Sequence, residues 1–537
     1  MFRSFSSITS ALVLAVLMLH AQTPETGSLT LTLLDSRTQR PIPNASVEIA
    51  TAGSGGRIVQ HKATSDSKGK AEFKELPPAV YSVSQAKARG YQFYNFLASS
   101  LERHQVTENG AINATLLVNA LGLLEGKVSD EAGDPVQGVQ IVLLHDQVKA
   151  GIRFLTTAKQ TTTDDRGLYR LPELTPGYYT LRAGAGLRND LKIAPTYYPS
   201  ASGPNQALRI HVTPGGTLPS IDFHLRAVDT FHLRGSITGL APSSQGSRVI
   251  VESCPFDRRE DPAIRVTAVT RRGSFDVQGL PPGNYCVTAE ERPGPPGVGV
   301  LKTVAFTDVT IKDEDVQNIR LAVLPPKRIK ITTTADQAYL GNGYLQLTPM
   351  RGPLQLGNAL TPKIDPATRT VQVDGLLPIP YRLEDSVCSS TLFCYIQSMK
   401  QEGSDVAGGI IDGAVGGAVS FHIGYTETSL RTTIDLGSRK PVEGMRVTIA
   451  PEGVTAKQND TITTRYTDAD GEILWTLLPG DYKVYAWEQY HHELAKSSEF
   501  LRQFQGTSVT VKKDGQSPVK VRLITANEVE GVLASFK

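Results

Sequence analysis

Apolar and polar residues alternate in short runs along most of the chain. Residues 28–34 read SLTLTLL, residues 274–277 read SFDV, and residues 446–449 read RVTI. Period-two alternation puts one set of side chains on a core face and the other on an outer face. Each run ends at Gly, Pro, Asp or Asn and then resumes. Roughly seven short strands per hundred residues, with turn signals every 8–12, predict β-sandwiches.

The pattern is periodic. Five related stretches open a late strand: ELPPAVYSV ending at Val83, ELTPGYYTL ending at Leu181, GLPPGNYCV ending at Val287, GLLPIPYRL ending at Leu383, and LLPGDYKV ending at Val484. Each is preceded by a turn: SDSKGKAEF, TDDRGLYRL, TRRGSFDV, DPATRTVQV and TDADGEILW. Gly69, Gly167, Gly273 and Gly471 supply the turn position, with Arg369 at the fourth equivalent. A period of about 100 residues means tandem whole domains rather than a solenoid of interdependent units. The prolines stop strand pairing. The next strand then opens with Tyr81, Tyr179, Tyr285, Tyr381 or Tyr482. A tyrosine there can bury its ring and bond its hydroxyl to nearby backbone, so these five are expected to be structural.

The front halves also agree. Residues 124–143 read LEGKVSDEAGDPVQGVQIVL, residues 33–49 LLDSRTQRPIPNASVEI, and residues 436–449 LGSRKPVEGMRVTI. Together with the turn and tyrosine signatures, they resemble the carboxypeptidase regulatory-like domain, a transthyretin-like (prealbumin-like) sandwich of bacterial secreted proteins. The likeness is best at 121–227, good at 23–118 and 428–524, weaker at 228–324, and confined to the back half of 325–424. It implies an all-β tandem array of about five prealbumin-like or Ig-like β-sandwiches. It implies little about activity, because this domain stands beside many functions.

The expected organisation is a signal peptide at 1–21 and sandwiches at 22–120, 121–227, 228–325, 326–426 and 427–537. The fourth is divergent. Short stiff links such as LAVLPPKR (321–328) should join them into a rod. Arg3 followed by the apolar run Ala11–Leu19 reads as a cleaved secretory signal. With no second long apolar run, the mature chain is expected to have no membrane span and to be secreted or periplasmic. The net charge of +2 gives no bulk attraction for nucleic acid.

Chemistry is sparse in the sequence. None of the ten histidines begins a His-x-x-Glu or His-Glu-x-x-His zinc motif. His491, His492 and Glu493 are adjacent, but neighbours on a strand point to opposite faces. Asp468-Ala-Asp470-Gly471 has the start of a calcium loop without its later acidic ligands, so it reads as a hairpin turn. No Gly-x-Ser-x-Gly elbow or phosphate-cradling loop occurs. The expectation is therefore a non-enzyme without cofactor or metal. Its partner would be an envelope protein or a polysaccharide. Glycan binding would use exposed rings outside the core phase, for which Tyr197, Tyr198, Trp487 and Tyr490 are the candidates. Export permits disulfides. Cys254 and Cys286 fall in one repeat, and Cys388 and Cys394 flank a short excursion, so each pair could close.

Overall fold

The computed structural model describes residues 26–536, apart from 53–57, 93, 96–102, 150–151, 185–192, 240–246, 254–258, 261–263, 271–272, 292–302, 324–326, 335–339, 351–359, 366, 389–392, 407–408, 427, 439–442, 454–461, 469 and 513–517. The signal-like N-terminus therefore lies outside the described residues. The chain divides into two compact units, Met1–Ala120 and Leu121–Lys537.

The protein is an all-β array, and one topology recurs through it. In the first unit, Gly27–Asp35 pairs antiparallel with Lys70–Leu76 and parallel with Ala111–Val118. A facing sheet contains Ile58–Thr64, Ser46–Ala52 and Ala79–Lys87 in that order. Gly27–Asp35 alternates buried and half-buried along its whole length. Its Leu29, Leu31 and Leu33 meet Val47, Ile49, Phe73 and Tyr81 in one core. The same parallel closure of first and last strands joins Phe231–Thr238 to Val316–Ala322, Lys327–Thr333 to Gly417–Thr426, and Ser429–Asp435 to Val519–Ile524. Gly122–Ser129 pairs in parallel with the short strands Thr217–Leu218 and Phe223–His224. Each repeat in the second unit has its own buried core.

The recurring tyrosine has a physical explanation. Tyr81, Tyr179, Tyr285, Tyr381 and Tyr482 are all at least 94% buried, with exposures of 1, 6, 1, 2 and 1%. Four of the hydroxyls donate to the carbonyl four residues earlier, on Pro77, Thr175, Pro281 and Leu478, at 2.7–3.0 Å. In the fourth repeat the bond reverses, and the Leu377 N–H donates to the Tyr381 hydroxyl at 3.0 Å. A buried phenol keeps its hydroxyl satisfied by folding the turn back on itself.

The turn before it is equally regular. Oδ1 of Asp66, Asp164 and Asp468 accepts the N–H groups two and four residues on, at 2.8–3.1 Å. Asp365 accepts from Ala367 and Thr368. These backbone donors hold the Asp66, Asp164 and Asp365 carboxyls below the usual range. The residue that follows turns left-handed: φ is +76° at Gly69, +73° at Gly167, +83° at Gly273 and +74° at Gly471. Arg369 holds φ +56° with a side chain attached. Left-handed backbone costs a non-glycine residue roughly 1–2 kcal/mol, less the extra entropy a glycine loses on folding. Arg369→Gly is therefore expected to stabilise the fourth repeat by about 0.5–1 kcal/mol, read as a higher midpoint in urea denaturation of the full chain.

The fifth repeat departs from the pattern. Gly480–Trp487 runs on far enough to pair in parallel with Val519–Ile524 at Ala486↔Leu523 and Trp487↔Ile524, which fuses its strands into one seven-stranded sheet. A short helix, Ser498–Leu501, and a longer one, Ala526–Ser535, then pack on that sheet's outer face.

Adjacent repeats of the second unit also touch. Arg259–Glu260 of the third repeat adds in parallel to the edge of Ile152–Thr162 in the second. Phe306 of the third packs against the fourth repeat's core. The unit is not the simple rod that the stiff links predict, because its fifth repeat folds back to meet its second. The contact depends on side chains far apart in sequence, which no local pattern encodes.

Candidate functional site

The densest side-chain chemistry among the described residues lies where the second and fifth repeats meet. Asp146 sits on Gln140–Lys149 and Arg153 on the hairpin partner Ile152–Thr162. The register pairs Asp146 with Leu155, which places Arg153 two positions along on the same face. Arg209 immediately precedes Ile210–Val212, the strand paired with Tyr178 and Tyr179. Asp146 Oδ1 accepts from Arg153 Nε at 2.7 Å, and Asp146 Oδ2 accepts from Arg209 Nη2 at 2.6 Å. The three side chains are 2, 4 and 7% exposed. Burial pulls the Arg153 guanidinium below its usual value, and Asp146 opposes that pull.

The fifth repeat closes over this cluster. Arg209 Nη1 donates to the Phe536 carbonyl at 3.1 Å, and the Arg153 guanidinium lies 3.9 Å above the Phe536 ring. Glu499 stands 3.7 Å from Arg153. The Tyr178 hydroxyl donates to Glu530 at 2.6 Å, which together with burial raises its pKa. The Val148 N–H donates to Glu493 at 3.4 Å. Tyr178 also stacks on His211, with ring centroids 4.2 Å apart and planes at 8°.

The module presenting these acceptors has a core of its own. Trp487, Leu494, Phe500, Phe504, Ile524, Val529 and Leu533 are buried together, and Tyr178 of the second repeat packs only at their margin. Thr525 caps the last helix: it accepts the Glu528 N–H, and Glu528 reaches back to the Thr525 N–H.

His491 lies at this junction. Burial drives its pKa down to about 4, with Arg209 also opposing protonation and Asp146 and Glu493 favouring it. The folded value is below the unfolded 6.5, so the folded state prefers the neutral ring. Above pH 6.5 the full stability is present. Between 6.5 and 4 only the unfolded chain binds the proton, and stability falls. At about 1.4 kcal/mol per pH unit the loss reaches at most about 3 kcal/mol, because the residue is only half-buried and solvent screens part of the effect. Replacing His491 with Gln is expected to flatten the pH dependence of the fifth repeat's melting over that window.

Two of the four ring candidates for glycan binding, Tyr197 and Trp487, are buried, which corrects the expectation that they are exposed. Tyr197 is 2% exposed, in a small core with Val142, Leu144, Leu155 and Ala207. Trp487 is 3% exposed, stacks on Tyr485, and donates Nε1–H to Thr448 at 2.9 Å. Tyr198 is half-buried, edge-on to Phe223 at 5.9 Å. Tyr490 is half-buried beneath Arg446, 4.4 Å from its centroid. Tyr197, Trp487 and Tyr490 lie outside the main cores, on outer faces that additional structure covers, whereas Tyr198 packs against the second repeat's main core. His491 lies in a loop rather than on a strand, half-buried, and its Nδ1 accepts the Leu494 N–H at 3.3 Å.

Cys286 is disulfide-bonded. Cys254 lies outside the described residues, as do the side chains of Cys388 and Cys394. Among the described residues no group of His, Cys, Asp and Glu could hold a metal ion, and no helix is long and apolar enough to cross a membrane. An open groove of about 700 Å³ in the second repeat is lined by Glu125, Lys127, Asp164, Arg166, Arg170 and Asp222. Its charges are partly paired internally: Arg170 bonds Glu125 at 2.9 Å and Arg166 lies 3.4 Å from Asp164.

Residues 124–226 match the carboxypeptidase regulatory-like domain, and residues 27–112 match a prealbumin-like fold domain. The second repeat is thus a carboxypeptidase regulatory-like domain and the first a prealbumin-like one. No curated protein matches the chain. Solved structures similar to it include the Bacillus anthracis TIE protein, at 18% identity over 56% of this chain and 51% of that one, with a TM-score of 0.19. The chain therefore spans about half of that protein's length. GBS52, the minor pilin of Streptococcus agalactiae, is 17% identical over 41% of this chain and 100% of its own, with a TM-score of 0.24. BcpA, the major pilin subunit of Bacillus cereus, is 11% identical over 56% and 99%, with a TM-score of 0.17.

Proposed function

We propose that this is a non-catalytic, secreted, multi-domain structural or binding protein of the cell envelope or exterior, with an envelope protein as its partner. The observation that carries this reading is the use made of reactive side chains. The strongest ionic cluster, Asp146 with Arg153 and Arg209, joins one sandwich to another. The recurrent tyrosines and turn aspartates build the repeats. The export-like N-terminus and the bonded state of Cys286 support an oxidising location.

The test is a binding screen of the mature chain, residues 22–537, against cell-wall and plant polysaccharides, alongside cross-linking in intact cells. The expected result is no saturable polysaccharide binding, with cross-links to an envelope protein. Saturable glycan binding lost on replacing Tyr198 or Tyr490 by Ala would instead favour a carbohydrate-binding protein. Turnover of a peptide or glycoside substrate by the purified chain would overturn the non-catalytic reading.

A further inference from the structure

We propose that the junction between the second and fifth repeats is a reversible clasp whose two surfaces also join separate copies of this chain. In the joined state, the fifth repeat of one copy docks on the arginine face of another copy's second repeat.

Three features of the junction lead there. First, it is complementary in charge. The second repeat offers Arg153 and Arg209, and the fifth offers Glu499, Glu493, Glu530 and the Phe536 carbonyl. Second, its contacts among the described residues include hydrogen bonds, an ion pair and one cation–π contact, and no buried apolar residue of the second repeat belongs to the fifth repeat's outer core. The fifth repeat's aromatic cluster is closed by its own helices, and Tyr178 is its partly buried contact from the second repeat. Both surfaces therefore survive separation, because opening tears no core apart. Third, two whole repeats intervene along the chain between the surfaces. Closure is thus an intramolecular binding event, set by the intrinsic affinity and an effective concentration. Nothing in the contacts themselves requires both surfaces to belong to one molecule. A head-to-tail contact of this kind yields either an exchanged dimer or an open chain.

The experiment uses two full-length variants. One, Arg153→Glu with Arg209→Glu, has a dead acceptor face and an intact fifth repeat. The other, Glu499→Arg with Glu530→Arg, has an intact acceptor face and a dead fifth repeat. Neither can close on itself or on its own kind. Mixed, they retain one native pair of surfaces beside a charge-swapped pair, and sedimentation is expected to show a 1:1 complex. That complex should dissociate in about 1 M salt, where screening acts over about 3 Å. Charge reversal beside Asp146 can disturb folding, so a milder pair is run in parallel: Arg209→Gln with Tyr178→Phe, against Glu499→Gln with Glu530→Gln. Circular dichroism melts confirm that each variant is folded. If folded variants of either pair, shown open by loss of hydrogen-exchange protection at their own junction, stay monomeric when mixed at up to about 1 mM, the upper range of effective concentration that linkage provides, the surfaces do not join copies and the proposal fails.

Discussion

Asp146→Ala is expected to destabilise the second repeat by about 3–5 kcal/mol and to release the fifth repeat from it. The carboxylate is the anion shared by two buried guanidiniums, at 2.7 Å from Arg153 and 2.6 Å from Arg209. Truncating one member of a buried ionic cluster leaves the remaining charges desolvated and uncompensated, which costs this much in comparable sites. Opening the junction returns both arginines to water, so undocking is the cheapest relief. Asp146→Asn keeps the shape and one acceptor but not the charge, and should fall between. Adding Arg153→Met and Arg209→Met to Asp146→Ala should recover much of the lost stability, because apolar side chains of similar volume carry no desolvation cost. Urea denaturation of the full chain, followed by hydrogen exchange at Gln140–Lys149, measures both effects. A loss under 1 kcal/mol with the junction still protected would show that the cluster contributes little.

Trp475→Ala should cost the fifth repeat about 3–5 kcal/mol. Trp475 is 1% exposed in the core with Leu430, Ile473, Tyr482 and Val484. Its indole N–H donates to Thr432 at 2.8 Å, so truncation leaves both a cavity and an orphaned buried hydroxyl. Trp475→Phe keeps most of the volume and should cost about half as much. The chain has two tryptophans, so the variant leaves Trp487 as the sole indole reporter, placed in the helix-covered cluster. Its fluorescence transition should move to lower urea, because the two clusters sit on opposite faces of the strand Gly480–Trp487.

That strand also shows what the sequence revealed and what it hid. Tyr482, Val484 and Ala486 alternate inward, as period two requires, and their core was legible. Tyr485 and Trp487 are on the opposite phase, for which the sequence predicts an exposed ring at Trp487. They are buried because Ser498–Leu501 and Ala526–Ser535 cover that face. The cue for the second helix was present: Thr525-x-x-Glu528 is a capping box, and Val529, Leu533 and Phe536 recur at helical spacing. Tyr197 was misjudged for the same reason, since the outer phase of Gln140–Lys149 carries a small core of its own. Asp146 had no local signal. One of its arginines lies seven residues away and the other 63, and Phe536, which Arg209 reaches, is 327 residues beyond that arginine. Turn chemistry and strand phase are local and were readable. The docking of one repeat on another is not local.

The most direct test of this account is a distance measurement in the intact chain. Spin labels attached by non-cysteine chemistry at exposed positions 158 and 520 would report the separation of the second and fifth repeats. A single narrow distribution that broadens and lengthens in Arg209→Glu is the result expected of a docked pair held by the buried cluster. A broad distribution in the wild-type chain, unchanged by Arg209→Glu, would contradict it and leave the repeats as independent sandwiches on a string.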